Sequence, residues 1–200
     1  YNRSAAAGTG TLIVDTTKPV LDQQGPVGYV NNALPTLTAR FRDLGLGKSG
    51  YKLFAAPPDV FKLDDDEISP DSEPASGAPT GIITKSIAGP LAQGSHTVDL
   101  TLHDLAGNEA NLTWEFFVDA VLPSKPATVT APDPITSDTP AFYWEPGVDN
   151  GDPQSGVAGY TVEIWTTGMG AALVRGPYTV TDDADPGTDD FDWTLPDALT

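Results

Sequence analysis

The sequence predicts an all-β chain organised as tandem β-sandwiches. Three observations carry that expectation. Several short runs alternate apolar and polar residues with a period of two, as strands half-buried on a core do. The 200 residues include 19 Pro and 20 Gly with no collagen-like period, a density that suits tight turns and opposes long helices. A strand ending in Val-Asp and followed by a Lys-Pro exit occurs twice, about one sandwich length apart.

Taken in order, Thr11-Leu12-Ile13-Val14 reads as the end of a strand and leads into Asp15-Thr16-Thr17-Lys18-Pro19. Glu115-Phe116-Phe117-Val118 ends another and leads through Asp119 and Pro123 to Lys125-Pro126. Proline in each exit fixes φ and withholds a backbone donor, so the strand stops there and a stiff junction is expected. The junctions divide the chain into residues 1–17, the last strand of a preceding domain; 18–119, a complete sandwich; and 120–200, a second sandwich lacking its last two strands. In the first sandwich, Leu37, Ala39 and Phe41 share one face of Thr36–Phe41. Val98, Leu100 and Leu102 share one face of Thr97–Leu102, and Leu112, Trp114, Phe116 and Val118 one face of Leu112–Val118. Tyr51–Phe54, Val60–Leu63 and Ile82–Ile87 are expected as the strands between. The acidic run Asp64–Glu67 and the Pro- and Ser-rich stretch Ser69–Thr80 are expected to be solvated and mobile. About seven short strands in roughly a hundred residues is the pattern of a sandwich.

The run from Gly94-Ser95-His96 through an alternating strand to Asp104-Leu105-Ala106-Gly107-Asn108 resembles the last hairpin of bacterial immunoglobulin-like repeats. In such a turn Asp and Asn cap their own backbone and Gly supplies the positive φ. The resemblance covers about residues 18–119. Beyond it, Trp144 on Ala141–Trp144 precedes Ser155-Gly156-Val157-Ala158-Gly159-Tyr160, and Tyr160, Val162 and Ile164 then share a face. With Phe191, Trp193 and Leu195 on a later strand, this part resembles a fibronectin type III-like module. Together the resemblances imply tandem immunoglobulin-like/fibronectin III-like β-sandwiches of a secreted or cell-surface protein.

Composition excludes several functions. A net charge of −18 with only ten basic residues leaves nothing to release counterions from nucleic acid. No apolar run is long enough to insert in a membrane, and with no Cys there is neither disulfide nor thiolate chemistry. Gly47-Lys48-Ser49 imitates the tail of a phosphate-binding loop, but Arg42 stands where that motif needs Gly and no helix follows. His96 and His103 lie seven apart on one expected strand, hence on opposite faces, and cannot join one triad; His103 is read as a solvated strand residue. The pair Asp182/Asp183 sits in a loop-like acidic run without an aromatic sugar cleft. The chain is therefore not expected to be an enzyme.

The acids are lopsided, 22 Asp to 6 Glu, and Asp belongs to turns, caps and calcium loops. No linear calcium motif is present. In an immunoglobulin-type sandwich, however, the incoming chain and the loops after the second and sixth strands share one pole. That pole gathers Asp15, Asp43, Asp104 and Asn108 in the first sandwich, and Asp119, Asp149, Asn150 and Asp152 in the second. Two readings stand. Each Asp caps its own turn, which suits Asp104 and Asn108 best, or the cluster ligates calcium, for which Asp149–Asp152 are the better candidates. The expected function is a structural spacer of an adhesin, surface layer or fibrous appendage, with calcium stiffening the junctions. Its partners would be neighbouring domains of the same chain or other copies in a layer or fibre. The alternative is an accessory ligand- or carbohydrate-binding module, for which Trp165, pointing away from its core, is the candidate contact.

Overall fold

A computed structural model describes residues 14–45, 47–55, 57–131, 136–152, 154–166, 171–181 and 191–196. Among these residues every regular element is a strand, so the all-β class is observed. The chain divides into two compact units, Tyr1–Val118 and Asp119–Thr200.

The first unit contains β1 (Val20–Gly25), β2 (Gly28–Val30), β3 (Thr36–Arg42), β4 (Val60–Leu63), β5 (Asp66–Glu67), β6 (Thr80–Ser86), β7 (Gly94–His103) and β8 (Glu109–Val118). They form two layers, β1-β3-β6 and β2-β8-β7-β4-β5. Neighbours are antiparallel except β2, which runs parallel to β8. Leu37, Ala39, Phe41 and Ile83 from the first layer meet Phe61, Val98, Leu100, Leu102, Trp114 and Phe116 from the second in one buried core. The expected inward rows of β3, β7 and β8 are the rows that form it. In the β7–β8 ladder Val98 faces Trp114 and Leu100 faces Leu112, and a one-residue slip would turn both rows outward.

Two expectations need correction. Tyr51–Phe54 is not a strand: Tyr51 makes a lone bridge to Asp104 and no regular strand follows. Its ring is instead fully buried, edge-on to Phe41 at 5.0 Å, and its hydroxyl donates to Glu73 at 2.7 Å. The stretch 64–80 is tied down rather than loose. Asp64 and Asp65, at φ 52° and 70°, make the two-residue turn of the β4–β5 hairpin, with Leu63 paired to Asp66. Asp71 accepts from Lys85 and from the Ser86 N–H, and Glu73 accepts from Tyr51 and the Phe54 N–H.

The second unit contains β9 (Val129–Thr130), β10 (Ala141–Trp144), β11 (Gly159–Trp165), β12 (Leu173–Thr181) and β13 (Phe191–Thr194). Its sheets run β13-β10-β9 and β11-β12. Trp144 and Leu195 are buried in it, and Trp144 packs edge-on to Tyr160 at 5.5 Å. Trp193 lies 6.0 Å from Phe142 and 5.1 Å from Tyr178. The expected strand end Thr11–Ile13 and the acidic run Asp182–Asp190 lie outside the described residues.

Candidate cation site

Three segments build the acidic pole of the first unit. The incoming segment supplies Asp15, whose Oδ1 accepts from the Thr17 N–H at 3.0 Å and whose Oδ2 accepts from the Ser49 N–H at 2.7 Å. The loop after β3 supplies Asp43, whose Oδ2 accepts from the Gly50 N–H at 2.6 Å. The five-residue β7–β8 turn supplies Asp104, which accepts from the Asn108 N–H and from its side-chain amide, both at 2.8 Å. That amide also donates to the Asp15 carbonyl at 3.3 Å. The turn is docked on the loop, with Leu105 N–H on the Gly50 carbonyl and Ala106 N–H on Ser49 Oγ.

One oxygen from each of Asp15, Asp43 and Asp104 falls within 4.8 Å of the other two. Asp43 and Asp104 are both 0 % exposed. The Thr17 N–H first, then the Ser49 side chain and last the Ser49 N–H hold the Asp15 carboxyl below the usual carboxylate range against the opposing effect of burial. Among the described residues the Lys and Arg ion pairs go to Asp22, Asp59 and Asp71, and none goes to these three acids. At an effective dielectric near 20, two buried carboxylates at this separation repel by about 3 kcal/mol. Asp43 Oδ1 sharpens the problem: it is buried and has no hydrogen-bond partner. An unsatisfied charged oxygen of this kind costs at least about 1–3 kcal/mol. A cation at the pole would turn both terms favourable. All the side-chain donors are oxygens, with no His or Cys, which selects a hard cation of the calcium or magnesium kind.

The four residues expected to converge in the first unit are thus brought together, and capping and clustering coexist: Asp104 caps its turn and also faces Asp15 and Asp43. In the second unit Asp119 Oδ2 accepts from the Ser155 N–H at 3.0 Å, and Asp149 Oδ2 accepts from the Gly156 N–H at 2.6 Å. Asn150 turns its amide to the Val148 carbonyl, and Asp152 is exposed. The described residues gather three acids only around Asp43, so the first unit rather than Asp149–Asp152 holds the better-built site. The bonding scheme is the same in both units. A leading Asp takes the N–H of a Ser, and a loop Asp takes the N–H of the Gly that follows it. Asp43 precedes Ser49-Gly50 at the spacing at which Asp149 precedes Ser155-Gly156. That repeated spacing is the signal that would have identified the Ser and Gly donors in advance.

One buried acid, Asp59, was not anticipated. Asp59 accepts from the Ala55 N–H at 2.8 Å and lies 2.8 Å from His103 Nδ1, with Lys52 Nζ 4.0 Å away. His103 is therefore a partnered, largely covered residue and not a solvated one. His103 Nε2 also lies 3.7 Å from Glu109 Oε2.

No protein-family profile matches the chain, and no curated protein sequence does. Among solved structures the chain is similar to dimeric latent PorU from Porphyromonas gingivalis, at 18% identity and a TM-score of 0.43. The match covers 92% of this chain and 17% of that one. No helix among the described residues is long and apolar enough to cross a membrane.

Proposed function

We propose that the chain is a spacer segment of a secreted or cell-surface protein, built of an immunoglobulin-like and a fibronectin III-like sandwich. In this reading calcium at Asp15, Asp43 and Asp104 fastens the incoming segment to the first sandwich. The observation that carries the reading is the bonding scheme made twice, in which a leading Asp and a loop Asp are both spent on fixing chain segments. Such an investment is mechanical: it stiffens a junction and opens no cleft. Calcium is favoured over magnesium because it accepts a flexible cage of six to eight protein and water oxygens. Neighbouring domains of the same chain, or further copies in a layer or fibre, are the partners this role requires.

The cation part is tested by isothermal calorimetry and thermal melting of the protein in calcium and in chelator. At a hundredfold excess over Kd, calcium adds about 2.7 kcal/mol, enough to raise the melting point of a domain this size by roughly 10 °C or more. An unmoved melting point with no binding heat would remove calcium from the reading. The spacer part is tested in the complete gene product, by exchanging this segment for an unrelated sandwich pair of equal length. Preserved function supports a spacer. Lost function, recovered only with the original exposed side chains, would favour the ligand-binding alternative. The observation that favours that alternative is Trp165, half-exposed on β11 with its indole N–H on Glu163 at 3.0 Å.

A further inference from the structure

The three acids of the first pole are held differently, and the difference decides which of them can leave. Asp43 and Asp104 are fully buried and belong to the body of the sandwich. Asp43 follows β3 directly and takes the Gly50 N–H, and Asp104 opens the β7–β8 turn and is closed onto it through Asn108. The backbone of Asp104 is also bridged to Tyr51, whose ring lies in the core. Displacing either acid would tear the loop or turn that carries it. Asp15 is only partly buried. Val14, Thr16, Thr17 and Lys18 around it are exposed, and the first buried residue after it is Pro19.

The described contacts of residues 14–18 gather at Ser49. Its N–H donates to Asp15 Oδ2 at 2.7 Å, and its side chain holds the same carboxyl. Ser49 Oγ also accepts from the Ala106 N–H at 3.1 Å, so one serine joins the incoming segment to both the loop and the turn. The Asn108 amide reaches the Asp15 carbonyl at 3.3 Å. Thr17 lies against Gly45, where an added Cβ would meet its Oγ1 at 3.0 Å.

Charge opposes these bonds. Asp15 takes part in two of the three carboxylate repulsions of the cluster, and Asp43 Oδ1 beside it is buried without a partner. One such repulsion is about as strong as one charge-assisted hydrogen bond. The docked segment is therefore near balance without a cation and firmly favoured with one. Undocking Asp15 relieves both repulsions and breaks no strand pairing, since residues 14–19 precede β1.

We propose that residues 14–18 are a calcium-gated strap. The cation seats Asp15 against Asp43 and Asp104, and its loss releases this segment while the sandwich behind it stays folded. This gating rests on the cation reading of the pole and adds how the pole is regulated. Junction stiffness then follows the calcium concentration around the protein, with the incoming segment as the moving part and Ser49 as its catch.

Residues 1–200 are followed by amide hydrogen exchange and calcium calorimetry, in excess calcium and in chelator at constant ionic strength. In chelator the Ser49 amide should exchange at least roughly a hundredfold faster than the β7–β8 ladder amides, as expected for local opening; in calcium that gap should close. Binding heat with Ser49 equally protected in both solutions would leave the cation in place and overturn the strap. Loss of Ser49 protection only in step with the ladders overturns it too, because the cation then staples the whole unit. Absence of binding heat removes the cation and the strap together. Asp43→Asn separates charge from structure: it keeps an acceptor for Gly50 and cancels one of the two repulsions on Asp15. In chelator this variant should regain most of the lost Ser49 protection. If it opens as freely as the unaltered protein, repulsion does not drive the release and the strap is overturned.

Discussion

Asp43 is the residue on which the first pole turns. One of its oxygens is satisfied by the Gly50 N–H, and the other is buried without a partner. Asp43→Asn keeps an acceptor for Gly50 and removes a charge. Melts in chelator should therefore show stability unchanged or improved, while the rise produced by calcium disappears; a retained rise would place the cation elsewhere. His96 carries a different prediction. Its Nδ1 lies 2.6 Å from Asp64 and its Nε2 2.9 Å from the Ala92 carbonyl, and both partners are acceptors at neutral pH. Both partners can accept at once only from a protonated ring, so the contacts favour the cationic form. Burial opposes that charge, yet the Ala92 carbonyl and the Asp64 carboxylate outweigh it and hold the ring above its ordinary value. The sign follows: the stabilisation is complete below pH 6.5, the unfolded value, and is lost as pH rises through the folded value. Urea unfolding at pH 5.5 and 9 should show a loss of roughly 1–2 kcal/mol from this contact, absent in His96→Gln. An identical pH slope in the variant would exclude His96 as its source. The pole was legible in the sequence because Asp residues sat in turns that a sandwich brings to one end. The His96 clamp was not, because Asp64 is 32 residues away and belongs to a run that composition alone assigns to solvent.

At the scale of elements, legibility followed alternation. β3, β7 and β8 each bury every second side chain against the facing sheet, and a period-two pattern records that burial directly. β1 was invisible because a bulge between Asp22 and Gly25 breaks its register and Asp22-Gln23-Gln24 masks its one buried side chain, Leu21. Tyr51–Phe54 misled for the opposite reason: its residues suit a strand, but Glu73 and core packing satisfy them individually. The loop from Asp43 to Tyr51 is shaped instead by Gly50, at φ 80°, where an added Cβ would run into the Gly77 carbonyl. Gly107, at φ 89° in the β7–β8 turn, has open space around its missing Cβ. Gly107→Ala should therefore cost only the backbone strain, about 1 kcal/mol. Gly50→Ala should cost several times that and weaken calcium binding, because the Gly50 N–H positions Asp43. Equal costs in denaturant unfolding would show that the loop accommodates the methyl group and does not set the pole.

For the whole molecule, the question is how a chain of net charge −18 stays folded, and which of its two units calcium serves. Diffuse self-repulsion destabilises any compact state of such charge, and ordinary salt screens it within about 10 Å at 0.1 M. Both units carry an acid excess, so raising sodium chloride to 0.5 M should raise the stability of both. A built site behaves differently. It responds to micromolar or millimolar calcium at constant ionic strength, and only where three carboxylates converge. The first unit has that convergence together with a continuous core from Leu37 to Phe116; the second, among the described residues, has neither. Scanning calorimetry of residues 1–200 should accordingly resolve two transitions, the lower from the second unit. Salt should move both upward, whereas 1 mM calcium should move only the upper one, and 1 mM magnesium should move it less. Tryptophan emission assigns the peaks, since Trp114 reports the first unit and Trp144, Trp165 and Trp193 the second. If calcium shifted both peaks equally and magnesium matched it, the effect would be screening, and the pole would be a set of turn caps without a cation.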